Sequence, residues 1–403
     1  MNKISGGVTA AKGFRASGVH CGIRKNREKR DLALIVSERR GAAAAVYTQN
    51  LVKGAPLMVT REHLSDGYAS AIVCNSGNAN TCNANGVEIA EGMAKITAEV
   101  LGIDAKDIVV ASTGVIGMPM EMAPLEAGIP AAAAALGDHG DQAAEAIMTT
   151  DTVLKETSYS FEVGGVECRI GGIAKGSGMI HPNMATMLCF ITTDAAISPE
   201  MLRRALSGDV IDTFNMLSID GDTSTNDMCC VIANGMAGNC EITGEGPDFD
   251  SFKAALRAVT DDLCRMLASD GEGATKFIEC RVSGAPDKRT ARLAAKSVVC
   301  SSLLKAAMFG ADANWGRVLC AIGYSGAEID ISRIGLFFKS SAGEIEVCRG
   351  GSGVDFLEEK AKEILSESAI EILVDLHAGC EKALARGCDL TYDYVKINGD
   401  YRT

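Results

Sequence analysis

The sequence predicts an α/β protein of about two domains, and three observations carry that reading. Short apolar runs rich in β-branched residues, such as Ala69–Cys74 and Met228–Ala233, alternate with stretches whose apolar positions recur at helical spacing. At 403 residues, with 47% apolar and 5% aromatic side chains, the chain can bury a substantial core. Near residue 280 the pattern changes character, dividing the chain into a larger unit, 1–279, and a smaller α/β unit, 280–403.

Taken in order, residues 31–48 read as two strands around a Glu38-Arg-Arg-Gly41 turn, and Ala69–Cys74 as a buried strand. Asn75–Gly86 is almost entirely Asn, Gly, Ser, Ala and Cys. Such a segment either presents several amides and N–H groups to one place or is simply a polar turn. Val87, Ala90, Met93, Ala94 and Leu101 suit an amphipathic helix that stops at Gly102. Ile108–Ala111 is a strand running into Ser112-Thr113-Gly114. Pro124–Leu136 and Asp141–Met148 read as helices. Ser158–Val163 and Val166–Ile170 form a hairpin, for which Gly164-Gly165 fits a two-residue turn.

Met187–Ile191 reads as a buried strand, Pro199–Leu206 as a helix, and Met228–Ala233 as a strand stopped by Asn234-Gly235. Asp250 or Ser251 caps a helix whose stripe is Phe252, Leu256, Val259, Leu263, Met266 and Leu267. It ends at Asp270-Gly-Glu-Gly273, which places Glu272 in a turn. In the smaller unit we expect strands at Lys276–Ser283, Glu344–Cys348, Ile370–Leu376 and Tyr394–Ile397. Helices are expected across Ala291–Met308, Val354–Leu365 and Cys380–Ala385.

Composition excludes several functions. A formal net charge of −13 argues against nucleic acid, whose phosphates need clustered Lys and Arg. The basic run Arg24–Arg30 reads as a solvated loop. Fifteen cysteines are an odd number without a CxxC pair, so neither a zinc ribbon nor a disulfide framework fits, and they read as small buried hydrophobes of a reducing compartment. MNKISGG lacks the apolar core of a signal peptide, and no run approaches the roughly 18 apolar residues of a membrane span, so a cytoplasmic protein without membrane partners is expected. The five histidines show no metal-ligand spacing, no GxSxG or GxxxxGK[ST] motif occurs, and Asp220–Asp227 lacks the EF-hand pattern. That acidic segment reads as a structural or site-supporting loop, and no metal is expected.

The chemistry concentrates between Gly171 and Ala195, where Gly171, Gly172, Gly176 and Gly178 surround one cation, Lys175, and the small step Ala185-Thr186 precedes the apolar strand. Glycines allow close approach of backbone to ligand. A threonine hydroxyl needs a base, and one source is its own α-amine, freed when the bond before it is cut. That amine titrates near ~8, close enough to working pH to take and return a proton. His181, five residues before Thr186, is a weaker candidate for the base, because the amine leaves no need for it. Thr113 and Gly114, at a strand end, could supply a hydroxyl and an N–H to an oxyanion.

Several segments together resemble the ornithine acetyltransferase family of arginine biosynthesis, also called the glutamate N-acetyltransferase or ArgJ family. They are Gly6-Gly-Val-Thr9, Lys12-Gly-Phe-Arg15, Asn75-Ser-Gly-Asn-Ala-Asn80, Ser112-Thr-Gly-Val-Ile-Gly117, Lys175-Gly-Ser-Gly-Met179, Met184-Ala-Thr-Met-Leu188, Asp220–Asp227, Asn314-Trp-Gly-Arg317 and Tyr394–Asn398 with Thr403. Each is weak alone; their order and their spread along the chain make the set specific.

The resemblance implies a layered α/β sandwich of the ArgJ/DmpA-like type with mixed sheets, plus a smaller C-terminal α/β domain whose tail returns to the active site. It implies self-cleavage between Ala185 and Thr186 into an α segment, 1–185, and a β segment from 186, assembled as a heterotetramer of two of each. Thr186 is then the nucleophile, Thr113 and Gly114 the oxyanion hole, and Thr152, Lys175, Thr186, Glu272, Asn398 and Thr403 the substrate-binding residues. Acetyl passes from N-acetylornithine to Thr186 and on to glutamate, with no cofactor, and acetyl-CoA stays open as a co-substrate. Because ornithine and glutamate end in opposite charges, the pocket is expected to be wet rather than to hold a dry, enclosed Glu272. Two rival readings stand beside it: a β-aminopeptidase-like N-terminal-nucleophile hydrolase that uses the same self-cleaving logic but passes the acyl group to water, and a non-catalytic small-molecule-binding relative that keeps the fold without the nucleophile's function.

Overall fold

The longest strand organises the larger of two structural units. In the computed structural model, which describes residues 1–181 and 187–400, Leu32–Tyr47 is one strand of 16 residues. The expected turn at Glu38–Gly41 is a register shift within it, between Val36 and Gly41 on the side that pairs with Tyr68–Asn75. The charged residues Glu38, Arg39 and Arg40 are exposed there, so the strand passes through without burying them. Gly41 allows the approach of the Ala233 carbonyl oxygen, which would lie 2.4 Å from a Cβ.

The first unit comprises residues 1–176, 183–211 and 223–263. Its strands are β1 (Asn2–Ile4), β2 (Phe14–Val19), β3 (Leu32–Tyr47), β4 (Tyr68–Asn75), β5 (Ile108–Ser112), β6 (Lys155–Val163), β7 (Val166–Lys175), β8 (Leu188–Thr193) and β10 (Met228–Ala233). β9 (Leu217–Ser218) belongs to the second unit. The sheet order is β1-β6-β7-β8-β10-β3-β4-β5, with β2 also on β3. β8 with β10 and β4 with β5 are parallel; the other pairs are antiparallel, so the sheet is mixed. At the β6–β7 hairpin Gly164 and Gly165 take φ of 56° and 81°, the left-handed pair that a tight two-residue turn requires.

Alternate residues of the central strands serve two cores. Ala33, Ile35, Ile72 and Cys74 face one cluster with Ala143, Ala144 and Ile147 of the helix Gly140–Ile147. Leu32, Leu34, Ala71 and Val73 face the other, with Ile89, Met93, Leu125 and Ile129 from the helices Gly86–Leu101 and Ala123–Ala134. Burial on both faces explains why these strands are continuously apolar in sequence.

The second unit comprises residues 177–182, 212–222 and 264–403. Its strands are β9, β11 (Phe277–Ala285), β12 (Gly335–Ser340), β13 (Gly343–Arg349), β14 (Ser352–Gly353), β15 (Ala369–Asp375) and β16 (Glu381–Cys388), in the order β14-β13-β12-β15-β11-β16-β9. Two expectations are corrected. The stretch expected as a helix, Cys380–Ala385, is β16, because its small residues pair with β11 in antiparallel register, Cys280 opposite Ala385. The expected final strand, Tyr394–Ile397, lies in a helix, Tyr392–Gly399, whose first turn is capped by Thr391 Oγ1 accepting from the Tyr394 N–H. Among the described residues no helix is long and apolar enough to cross a membrane, and none of the fifteen cysteines is in a disulfide.

Candidate active site

Ala185, Thr186 and Thr403 lie outside the described residues, so the site is built from what surrounds them in sequence and register. β8 begins at Leu188, opposite Lys175 of β7 on one side and Met228 of β10 on the other. The carbonyl of Met187 accepts the Met228 N–H at 2.9 Å, which extends the ladder one residue beyond β8.

Lys175 is buried, and the turn after it is held by a residue that sequence reasoning missed. Asp151 Oδ1 accepts the Gly176 N–H at 2.6 Å and Lys155 Nζ at 2.7 Å, and its Oδ2 accepts the Thr149 N–H at 2.9 Å. The Asp151 and Lys155 side chains are both 0% exposed. Burial alone would raise the Asp151 carboxyl, but the charges of Lys175 and Lys155, with these hydrogen bonds, outweigh it and hold the group at about 2. Asp151 therefore stays ionised and positions the loop of Thr152 beside the end of β7, bringing two of the expected substrate residues together. The four-residue spacing of Asp151 and Lys155 was the available signal, but nothing in sequence marked either as buried.

Thr113 and Gly114 follow β5 on a scaffold made by the Asn75–Asn80 loop. The Thr113 N–H donates to the Asn75 carbonyl at 3.0 Å, and the Val115 N–H to that of Gly77 at 3.3 Å. Ser112 Oγ donates to Asn75 Oδ1 at 2.6 Å, Asn75 Nδ2 to the Asn78 carbonyl at 2.9 Å, and Asn78 Nδ2 to the Met118 carbonyl at 3.0 Å. The loop amides are thus spent internally rather than presented to a ligand. Gly114, at φ 132°, packs so closely that a Cβ would lie 2.3 Å from the Gly77 carbonyl carbon. Among the described residues neither the Thr113 hydroxyl nor the Gly114 N–H enters a hydrogen bond.

The Asp220–Asp227 segment contributes Asn226, which Asn75 and Ser112 alone did not reveal. Asn226 Nδ2 donates to the carbonyls of Ala79 at 2.5 Å and Ser112 at 3.0 Å, while its Oδ1 accepts from Thr81 Oγ1 at 2.6 Å. Its role is to hold the donor loop.

In the second unit Glu272 and Asn398, both named from sequence, meet: Asn398 Nδ2 donates to Glu272 Oε2 at 2.8 Å. The Glu272 N–H donates to the Ser177 carbonyl at 2.8 Å, and a Cβ on Gly178 would fall 2.2 Å from Glu272 Oε2. The tail helix is seated by Thr391 Oγ1 on the Gly273 carbonyl at 2.7 Å and by the Tyr394 hydroxyl on Asp220 Oδ2 at 3.2 Å. Glu272 is 7% exposed, so the open, well-watered acid expected from the substrates is not what the fold builds. His181 contacts Ser218 Oγ at 3.1 Å, and burial, then the charge of Lys296, pushes its pKa down to about 4. It is a weak base there.

A strand end with two unspent donors is equipment for acyl transfer, in which an oxyanion forms and collapses. The ArgJ family model matches residues 15–403, and the chain belongs to that family. It is 52% identical to the arginine biosynthesis bifunctional protein ArgJ of Caldanaerobacter subterraneus over 100% of both chains. The protein so named from Symbiobacterium thermophilum is likewise 52% identical over 100% of both. Among solved structures, the ArgJ chain from Bacillus halodurans superposes with a TM-score of 0.50 at 46% identity, covering 52% of this chain and 97% of that one.

Proposed function

We propose that the chain is a self-cleaving acetyltransferase of arginine biosynthesis that moves acetyl from N2-acetyl-L-ornithine to L-glutamate. The observation that carries this reading is the unspent Thr113–Gly114 donor pair in a member of the ArgJ family. Cleavage between Ala185 and Thr186 consumes one water and frees the α-amine of Thr186. That amine takes the hydroxyl proton as Thr186 attacks the acetyl carbonyl, and the Thr113 hydroxyl and Gly114 N–H stabilise the oxyanion. Collapse expels ornithine, which takes the proton, and leaves an acetyl ester on Thr186. The α-amine of glutamate then attacks the ester, and N-acetylglutamate departs.

Lys175, Asn398 and Thr403 supply donors for the α-carboxylate, Thr152 lies on the loop beside Lys175, and Glu272 receives the ornithine side-chain ammonium. The Bacillus halodurans chain supports cleavage: 52% of this chain matches nearly all of it, a share close to that of residues 186–403. No cofactor takes part. The relatives' designation as bifunctional supports a second use of the same acetyl-Thr186 route, with acetyl-CoA as donor to glutamate. We place the enzyme in the cytoplasm as a heterotetramer of two α and two β segments.

The test is to incubate purified protein with N-acetylornithine, with and without glutamate. Ornithine and N-acetylglutamate should appear in equal amounts only when glutamate is present, and a brief pulse of donor should leave an acetyl ester on residue 186. Ornithine and free acetate without glutamate would instead identify a hydrolase.

A further inference from the structure

The larger unit carries a cavity of about 660 Å³ that none of these steps uses. It is lined by Ala43–Gln49 at the end of β3, by Lys53, Arg61 and Leu64–Gly67, and by Pro199 and Arg203 of the helix Pro199–Asp209. Strand register explains why it is there. β4 pairs with β3 only as far as Ala42, opposite Tyr68, while β10 continues along the other side to Tyr47. The Thr48 N–H donates to the Asp227 carbonyl and the Ala43 N–H to that of Gly67, so even-numbered residues of this stretch face β10 and odd-numbered ones face away. Among the described residues the N–H groups of Ala45 and Tyr47 therefore meet no strand. An open strand edge is a row of backbone donors, and a concave one suits an anion.

The charges point the same way. Lys53, Arg61 and Arg203 enter no hydrogen bond or ion pair among the described residues, and residues 182–186 and 401–403 hold no Asp or Glu to answer them. The acid in the cavity wall, Asp66, is already engaged: it accepts from Arg40 Nη2 and, at 3.0 Å, from the Tyr68 N–H. Burial raises the Tyr47 phenol above its ordinary range and the charge of Arg61 works against it, so that guanidinium acts at the open end of the strand. Three unanswered cations share one cavity in a chain whose net charge is −13.

We propose that this cavity binds a phosphate-bearing small molecule, with its phosphates on Arg61, Arg203, Lys53 and the Ala45 and Tyr47 N–H groups and its organic body in the remaining space. A single carboxylate would answer one cation and leave two. A phosphate monoester carries about −1.5 to −2 at neutral pH, so two phosphate groups match all three, and the arginine fork fits phosphate oxygens bidentately. At about 660 Å³ the space is that of a small-molecule site and exceeds what inorganic phosphate fills, hence the organic body. Nothing in this site depends on acetyl transfer. Two sources share the chemistry: the 3′-phospho-ADP portion of the acetyl-CoA donor, and a phosphorylated metabolite that is not a substrate.

Titration calorimetry of the purified protein with inorganic pyrophosphate, and separately with ADP, should show one site per chain and an affinity that falls as NaCl is raised. Arg61→Gln combined with Arg203→Gln should weaken both probes at least about tenfold. The melting temperature of that variant, and its kcat for exchange between N-acetylornithine and glutamate, should stay at wild-type values. CoA that displaces ADP, together with a raised KM for acetyl-CoA in the double variant, assigns the site to the donor; any other response to CoA assigns it to a separate phosphorylated metabolite. No saturable binding of either probe, equal affinity in the double variant, or citrate bound as tightly as pyrophosphate would overturn the proposal. A wild-type protein that binds both probes but performs no exchange defeats the acetyltransferase reading alone.

Discussion

Asn226 Nδ2 donates to the carbonyl of Ser112 at 3.0 Å, joining the residue before Asp227 to the residue before Thr113 across 114 positions of sequence. Through this one amide the end of β10 and the donor pair after β5 share a support. Replacing Asn226 by Ala removes the Nδ2 donor from the buried Ser112 carbonyl and leaves the Ala79 carbonyl with the longer bond from Thr81 Oγ1 at 3.3 Å. Unfolding by urea should show a loss of about 2–4 kcal/mol, and kcat should fall more than KM rises.

The Thr113 hydroxyl makes no hydrogen bond among the described residues, so removing it should cost catalysis rather than fold. Thr113→Ala should lower kcat on the order of 10²–10³-fold while the melting temperature stays close to that of the wild type. A variant with an unchanged kcat would remove Thr113 from the oxyanion role. Gly114→Ala, by contrast, meets the Gly77 backbone and should lower both stability and kcat.

Asp151 makes stability depend on acid pH. Its carboxyl titrates near 2 in the folded chain, below the ordinary value of 3.8, so its contribution is present above about pH 4 and is lost as pH falls towards 2. A shift of that size is worth roughly 2 kcal/mol. Urea unfolding between pH 2 and 6 should show this loss in the wild type and a flatter profile in Asp151→Asn. At neutral pH the Asn variant should also be less stable by about 3–5 kcal/mol, because the buried Lys155 charge then loses the carboxylate that neutralises it.

Gly178 leaves room for the Glu272 carboxylate. A methyl there would displace the end of a flexible side chain rather than backbone, so Gly178→Ala should fold with a nearly unchanged melting temperature. The displaced acid should lose its contact with Asn398, and KM for N-acetylornithine should rise about tenfold. Steady-state kinetics with an unchanged KM would separate Glu272 from ammonium binding.

Sequence by itself settled what nearest neighbours along the chain can settle. The Gly164–Gly165 hairpin, the Gly102 stop and the helical stripe from Phe252 to Leu263 are local patterns, and each is where it was expected. The family motifs likewise named Thr113, Gly114, Lys175, Glu272 and Asn398 without any fold. Tertiary structure decided what depends on distant partners. Glu381–Cys388 is a strand because β11 pairs with it, a choice its small residues leave open locally. Asp151 and Lys155 form a buried pair, Asn226 reaches Ser112, and Asp227 is buried at the entry of β10, because burial and register come from packing between segments far apart in sequence. Periodicity and turn chemistry act over a few residues, whereas the desolvation that gives a buried charge its meaning exists only once the sheets have assembled.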